Sequence, residues 1–87
     1  MKAYEAVRAA AKDSGVPITH IGPALGKSSV YVNNGASRGS IPKADTLASM
    51  LSVCGYVLAA LPADQVPPSA LVIDPADTKP SAADRRR

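Results

Sequence analysis

The 87-residue sequence is poor in aromatic residues, with three Tyr and neither Phe nor Trp. A core built from it must therefore be aliphatic, and the many small Ala residues suit short, closely packed helices. A chain of this length buries a limited fraction of its surface. The composition therefore indicates one small domain whose thin core would be stabilised by association with a second chain.

Cysteine, long apolar runs and metal-ligand clusters are also scarce. The single cysteine, Cys54, excludes an internal disulfide and is typical of a reducing cytoplasm. No apolar run approaches the ~20 residues that a membrane span needs, and the charged N-terminal stretch does not resemble a signal peptide. The sequence contains neither a metal-ligand spacing nor a nucleophile–base pair. We therefore expect a cytoplasmic protein without membrane contact, catalytic residues, metal or other cofactor.

Positive charge is in slight excess, with ten Lys and Arg against seven Asp and Glu and a net charge of +3. Three of these positive charges are the terminal residues 85–87, so the rest of the chain is close to neutral. The balance favours a polyanionic partner only weakly.

Apolar periodicity predicts four helices, over residues 2–14, 18–25, 29–37 and 43–54. The fourth has the clearest pattern, since Leu47, Met50, Leu51 and Cys54 recur at helical spacing. Gly residues follow the helices, where left-handed C-caps are common. Pro23 predicts a kinked, shortened or partly 3₁₀ second helix.

The C-terminal third has a different sequence pattern, without the helical periodicity of the residues before it. Residues 56–61 and 70–74 are short apolar runs that read as strands, although the first run could instead extend the fourth helix. We therefore expect a mainly α fold: a small four-helix domain at 1–55, then a short β-hairpin or strand pair at 56–74 that supports a homodimer. Residues 75–87 read as a disordered basic tail.

The run GPALGKSS, residues 22–29, poses a choice between a phosphate-binding loop and a turn between helices. A P-loop needs four residues between its glycines, and only three separate Gly22 from Gly26. The upstream residues also do not read as a strand. The alternative is a tight turn in which Gly26 adopts a positive φ and Ser28 caps the third helix.

The run ITHIGPALGKSSVYVNNGASRGSIPKADTLASMLSVCGYVL resembles the Cro/repressor (XRE-type) helix-turn-helix domain, and the resemblance covers roughly residues 2–61. Matching features are an apolar scaffold helix, a Gly turn, an inward apolar residue in the third helix and a leucine-containing fourth helix. They comprise Ile21, Leu25, Gly26, Ser28, Val32, Gly39 and Pro42. The chain departs from the family at Gly22, where Ala is usual, and at Pro23. Gly35 lies within the third helix, which would be the recognition helix of such a domain. A Gly at this position lowers helix stability by roughly 1 kcal/mol relative to Ala.

The resemblance implies a sequence-specific, repressor-like regulator, of the type found in phages or mobile elements. Such a protein binds the major groove of double-stranded DNA as a homodimer on a palindromic operator. The implied base-contacting residues are Ser29, Val30, Asn33 and Asn34. The implied phosphate-contacting residues are Lys27, Ser28, Tyr31, Arg38 and Lys43. An Asn amide can bond bidentately to adenine, and a Val methyl can pack against a thymine methyl.

Other interpretations stay open at this point. Tyr31 could cover the edge of the core instead of contacting phosphate, and Asn33 and Asn34 could lie in a fraying helix end. The same scaffold could serve as a protein-interaction module, such as an antitoxin or an inhibitor that uses the apolar strands to grip a partner. A polar and basic face at residues 27–34 favours DNA, whereas apolar strands favour a protein partner.

Overall fold

The computed structural model describes residues 1–75, and within them the chain is mainly helical. The prediction of four helices is confirmed. They are α1 (Ala3–Ser14), α2 (Ile18–Ala24), α3 (Tyr31–Arg38) and α4 (Ala44–Val53), followed by a 3₁₀ turn at Ala63–Gln65. The largest shift from the predicted bounds is at α3, which begins two residues later than expected.

The core is aliphatic and draws on all four helices. Val7 of α1, Ile21 of α2, Val32 of α3 and Met50 of α4 are fully buried. Burying each such side chain contributes about 1.5–3 kcal/mol. Small Ala residues on the inner side of α1 let the other helices approach it closely. Within residues 1–75 no polar or charged side chain is buried, so apolar packing positions the helices.

Helix α3 packs against α2 and against α1. Both α1 and α2 also pack against α4. The contact between α1 and α3 depends on Gly35, which is buried although it lies inside a helix. A Cβ at Gly35 would lie 2.5 Å from both Cζ and the hydroxyl oxygen of Tyr4. The helix therefore carries a residue of poor propensity because the Tyr4 ring occupies the space of its side chain.

We expect Gly35→Ala to destabilise the protein by about 1 kcal/mol, because the added methyl displaces the buried Tyr4 ring. Helix propensity alone predicts the opposite sign, a gain of about 1 kcal/mol. Urea unfolding distinguishes the two. In a Tyr4→Leu background, where the ring is absent, the same Ala should stabilise. A stabilising Gly35→Ala in the wild-type background would contradict the contact.

The predicted strand pair is absent from residues 1–75. Segments 56–61 and 70–74 run as irregular chain, and the alternative of a longer fourth helix is also wrong, since Gly55 has φ 79° and turns the chain away. The Tyr56 hydroxyl donates to Asp13 Oδ2 at 2.8 Å, and the Asp74 N–H donates to the Met1 carbonyl at 2.9 Å. The segments therefore bond to the N-terminal part of the chain and not to each other.

Apolar side chains of these segments nevertheless reach the helices. Leu58, Leu71 and Ile73 pack against the core, which accounts for the apolar character of the two runs that read as strands. The predicted basic tail, apart from Pro75, lies outside the described residues. Among residues 1–75 no helix combines the length and the apolar character that crossing a bilayer requires.

Candidate nucleic-acid interface

The connection between α2 and α3 begins with a Schellman motif at the end of α2. The Lys27 N–H donates to the Gly22 carbonyl at 2.8 Å, and the Gly26 N–H donates to the Pro23 carbonyl at 3.0 Å. Gly26 has φ 77°, as the sequence predicts for this position. Gly22 and Pro23 belong to α2 itself, so the GPALGKSS run is a helix end followed by a turn.

Gly22 is the point of closest approach between α2 and the start of α3. It is buried, and a Cβ there would collide with the Ser28 carbonyl and approach the Tyr31 Cβ to 3.1 Å. The carbonyl belongs to the backbone and cannot rotate aside as a flexible side chain can. The absence of a side chain at Gly22 therefore sets how closely residue 28 folds back on α2.

The start of α3 differs from the sequence prediction. The N-cap is Val30, which makes no side-chain capping bond, and Ser28 is not the cap. Instead the Ser28 carbonyl accepts a hydrogen bond from the Tyr31 N–H at 3.2 Å, in a turn that precedes the helix. The predicted cap is wrong because the backbone of residues 28–30 closes this turn first. Ser28 and Ser29 are both exposed beside it.

One side of α3 faces away from the core, and we call it the outer face. Its members share an exposed side chain and recur at i, i+4, i+7 and i+8: Val30, Asn34, Ser37 and Arg38. Val32 and Gly35 lie on the opposite side and are buried. Sequence reasoning missed Ser37, although its spacing from Val30 places it on the same side. Val30 is 47% exposed, so a large apolar group sits among polar ones.

Lys27 and Tyr31 flank the outer face at its N-terminal end. The Lys27 ammonium lies over the Tyr31 ring, 5.7 Å from its centroid, within the range of a cation–π contact. Tyr31 is half-buried and packs against the core, so the interpretation of this ring as a core cover is supported. The pKa of the Tyr4 phenol is raised, first by its burial and second by the neighbouring Tyr31. The positive charge of nearby Arg38 offsets part of this rise.

Asn33 lies half-buried at the edge of α3 that faces α1. Its Oδ1 accepts a hydrogen bond from Arg8 Nη2 at 3.1 Å. Arg8 is not among the residues that the sequence indicated, since nothing in a local pattern connects residue 8 with residue 33. The two asparagines therefore differ, because Asn34 is exposed and Asn33 is held by a neighbouring helix.

Electrostatically, this region is basic. Residues 27–44 contain Lys27, Arg38 and Lys43 and no Asp or Glu, and the nearby carboxylate of Asp45 lines an open pocket together with Lys27. Lys43 is exposed at the N-cap of α4, and Arg38 is in the last turn of α3. Both ends of the outer face can therefore meet an anionic ligand. In the described part of the chain no three His, Cys, Asp or Glu side chains are grouped as a metal site would require.

No protein-family model, curated protein or solved structure matches this chain. The interpretation of the interface therefore depends on its own geometry and charge.

Proposed function

We propose that the protein is a sequence-specific DNA-binding regulator, in which α2 and α3 act as a helix-turn-helix and α3 is the recognition helix. The observation that carries the proposal is the outer face of α3: an exposed, mostly polar helix side with basic residues at both ends, supported from behind by the buried Val32. A helix of this kind fits the major groove of B-DNA.

In the proposed complex the two groups of residues have separate roles. Base edges are read from the start and outer face of α3, and phosphates are contacted at its rim. The base-reading group is Ser29, Val30, Asn33 and Asn34, to which the exposed position of Ser37 adds a further member. The phosphate-contacting group is Lys27, Ser28, Tyr31, Arg38 and Lys43.

The proposed mode of action is occupancy of an operator by a homodimer, which requires no catalysis. Exposed apolar side chains after α4 support self-association: Val57 is 82% exposed, and Leu61 and Val72 are each 53% exposed. Two copies related by a two-fold axis would present their α3 helices to half-sites about one DNA turn apart. Sedimentation that shows only monomer at high micromolar concentration would remove the dimer from the proposal.

The same exposed apolar residues favour a second candidate function, a protein-interaction module of the antitoxin or inhibitor type. In that case the partner covers Val57, Leu61 and Val72, and the outer face of α3 is an ordinary solvated surface. The two candidates differ in the chemistry of the interface, which is ionic with DNA and apolar with a protein partner.

A salt series on random duplex DNA separates the two candidates. Three basic phosphate contacts predict a slope of log K against log salt of about −2.7 per chain, because each contact releases condensed counterions. The measurement is fluorescence anisotropy from 50 to 300 mM KCl, a range over which the Debye length falls about 2.4-fold. Absence of binding at the lowest salt would contradict the DNA proposal.

Double substitution of Asn33 and Asn34 by Ala tests the base-reading role. We expect affinity for a selected operator to fall about tenfold or more, since amide contacts to base edges are removed. Affinity for random duplex should be almost unchanged, because the basic residues remain. A double variant that keeps full operator affinity would refute the assignment of these two residues.

A further inference from the structure

The hydrogen bond between Arg8 and Asn33 also determines which way the amide group of Asn33 is turned. Arg is a donor without an acceptor, so its partner on the Asn amide must be the oxygen, as the 3.1 Å Nη2–Oδ1 distance shows. The oxygen edge of Asn33 therefore faces α1, and the NH₂ edge is turned away from it. The two amide atoms of this residue are thus not equivalent toward a ligand on α3.

Within residues 1–75 the Arg8 guanidinium forms no ion pair, so no carboxylate competes with Asn33 for it. The nearest acidic residue along α1, Glu5, accepts the backbone N–H of Lys2 at 2.6 Å. Asn34, by contrast, is exposed and makes no side-chain hydrogen bond in the described part of the chain. Its amide can therefore rotate to suit a base, whereas that of Asn33 is already oriented.

We propose that Arg8 is a positioning residue for base recognition: it turns Asn33 so that this side chain offers its NH₂ donor to the major groove. The proposal rests on the proposed DNA-binding function and names the base chemistry that the site selects. Bidentate bonding to adenine needs the amide oxygen and nitrogen on the same base edge. Asn33 does not present that pair, and Asn34 is the residue that can.

A lone donor discriminates among bases by the acceptors that each exposes in the major groove. Guanine exposes two acceptors, N7 and O6, and thymine exposes the acceptor O4. Adenine exposes the acceptor N7 beside its N6 amino donor, and cytosine exposes only an amino donor. Because guanine offers two acceptors and the adenine N7 lies beside a donor that repels another donor, Asn33 should favour guanine over adenine at one position of each half-site and reject cytosine. We expect affinity for a site with cytosine at this position to be about tenfold lower. The reason is that the Asn33 donor would stay unpaired there, which costs roughly one hydrogen bond.

The test is selection of binding sites from a randomised duplex library by the full-length protein. Arg8→Met removes the guanidinium and keeps most of the aliphatic stem. Lys12→Met is the matched control, since Lys12 is an exposed cation one turn further along the same helix. We expect wild type and Lys12→Met to select the same site, and Arg8→Met to lose the guanine preference at one position per half-site and admit adenine there.

Asn33→Asp provides a second readout that does not depend on loss of a contact. A carboxylate keeps Arg8 as a partner but presents an acceptor outward, so the preference at that position should move to cytosine, whose amino donor has no acceptor beside it. A merely structural role for Arg8 would lower affinity at every site without changing base preference. An Arg8→Met profile identical to wild type would overturn this inference and leave the DNA-binding proposal intact. A wild-type protein that enriches no site would defeat the proposed function itself.

Discussion

Gly22→Ala should lower the Tm of the protein by roughly 15 °C. For a domain of this size, that shift corresponds to a loss of about 3 kcal/mol in the free energy of unfolding. The physical reason is steric, since the new methyl would collide with the backbone carbonyl of Ser28 and approach the Tyr31 Cβ to 3.1 Å. Relief requires α2 and α3 to separate, which exposes Ile21 and Val32. Circular dichroism at 222 nm during thermal unfolding measures the effect.

The matched control is Gly26→Ala in the same turn. Gly26 has φ 77° and no atom lies within 4 Å of the position that a Cβ would take, so its substitution costs left-handed backbone strain alone, about 1 kcal/mol. We therefore expect Gly22→Ala to be clearly more destabilising than Gly26→Ala. Equal effects, or a Gly22→Ala protein as stable as wild type, would contradict the close approach of α2 to residue 28.

The combined substitution of Lys27 and Arg38 by Gln should lower affinity for any duplex about thirtyfold per chain at 0.15 M salt, and reduce the salt slope by about two. Both cations are exposed at the ends of the outer face, and neither is part of the buried core. The fold should therefore survive. Anisotropy titrations at several salt concentrations give the affinity and the slope together.

The control for this experiment changes the net charge equally at a different place. Lys12→Gln with Ser52→Glu removes one positive charge and adds one negative charge at exposed positions of α1 and α4, outside the outer face and outside the segment proposed to support the dimer. General repulsion between protein and DNA would weaken both double variants to the same degree. If the two variants have the same affinity and slope, Lys27 and Arg38 are not phosphate contacts.

Helices and core follow from the sequence because both depend on local periodicity. The four predicted segments form helices, and the residues chosen as inward, such as Ile21, Val32 and Met50, are fully buried. The Gly at the end of α2 adopts the positive φ that its position predicts. These features need only the spacing of apolar residues and the conformational range of Gly.

Features that join distant parts of the chain were not predictable in this way. Gly22 and Gly35 read as defects in helices, and they are contact points whose partners, Ser28 and Tyr4, only the fold identifies. The hydrogen bond from Arg8 to Asn33 spans 25 positions and leaves no local pattern. The strand prediction is wrong for a related reason: a short apolar run shows that side chains are buried and not which backbone groups will pair.

We propose above all that the outer face of α3 is the surface that meets DNA. The most direct measurement is a titration of ¹⁵N-labelled protein with a short duplex, followed by amide shifts in ¹H–¹⁵N correlation spectra. We expect the largest shifts to fall on residues 27–38, with the side-chain amide signals of Asn33 and Asn34 among them. Shifts confined to residues 56–75, or spectra unchanged by the duplex at low salt, would contradict it.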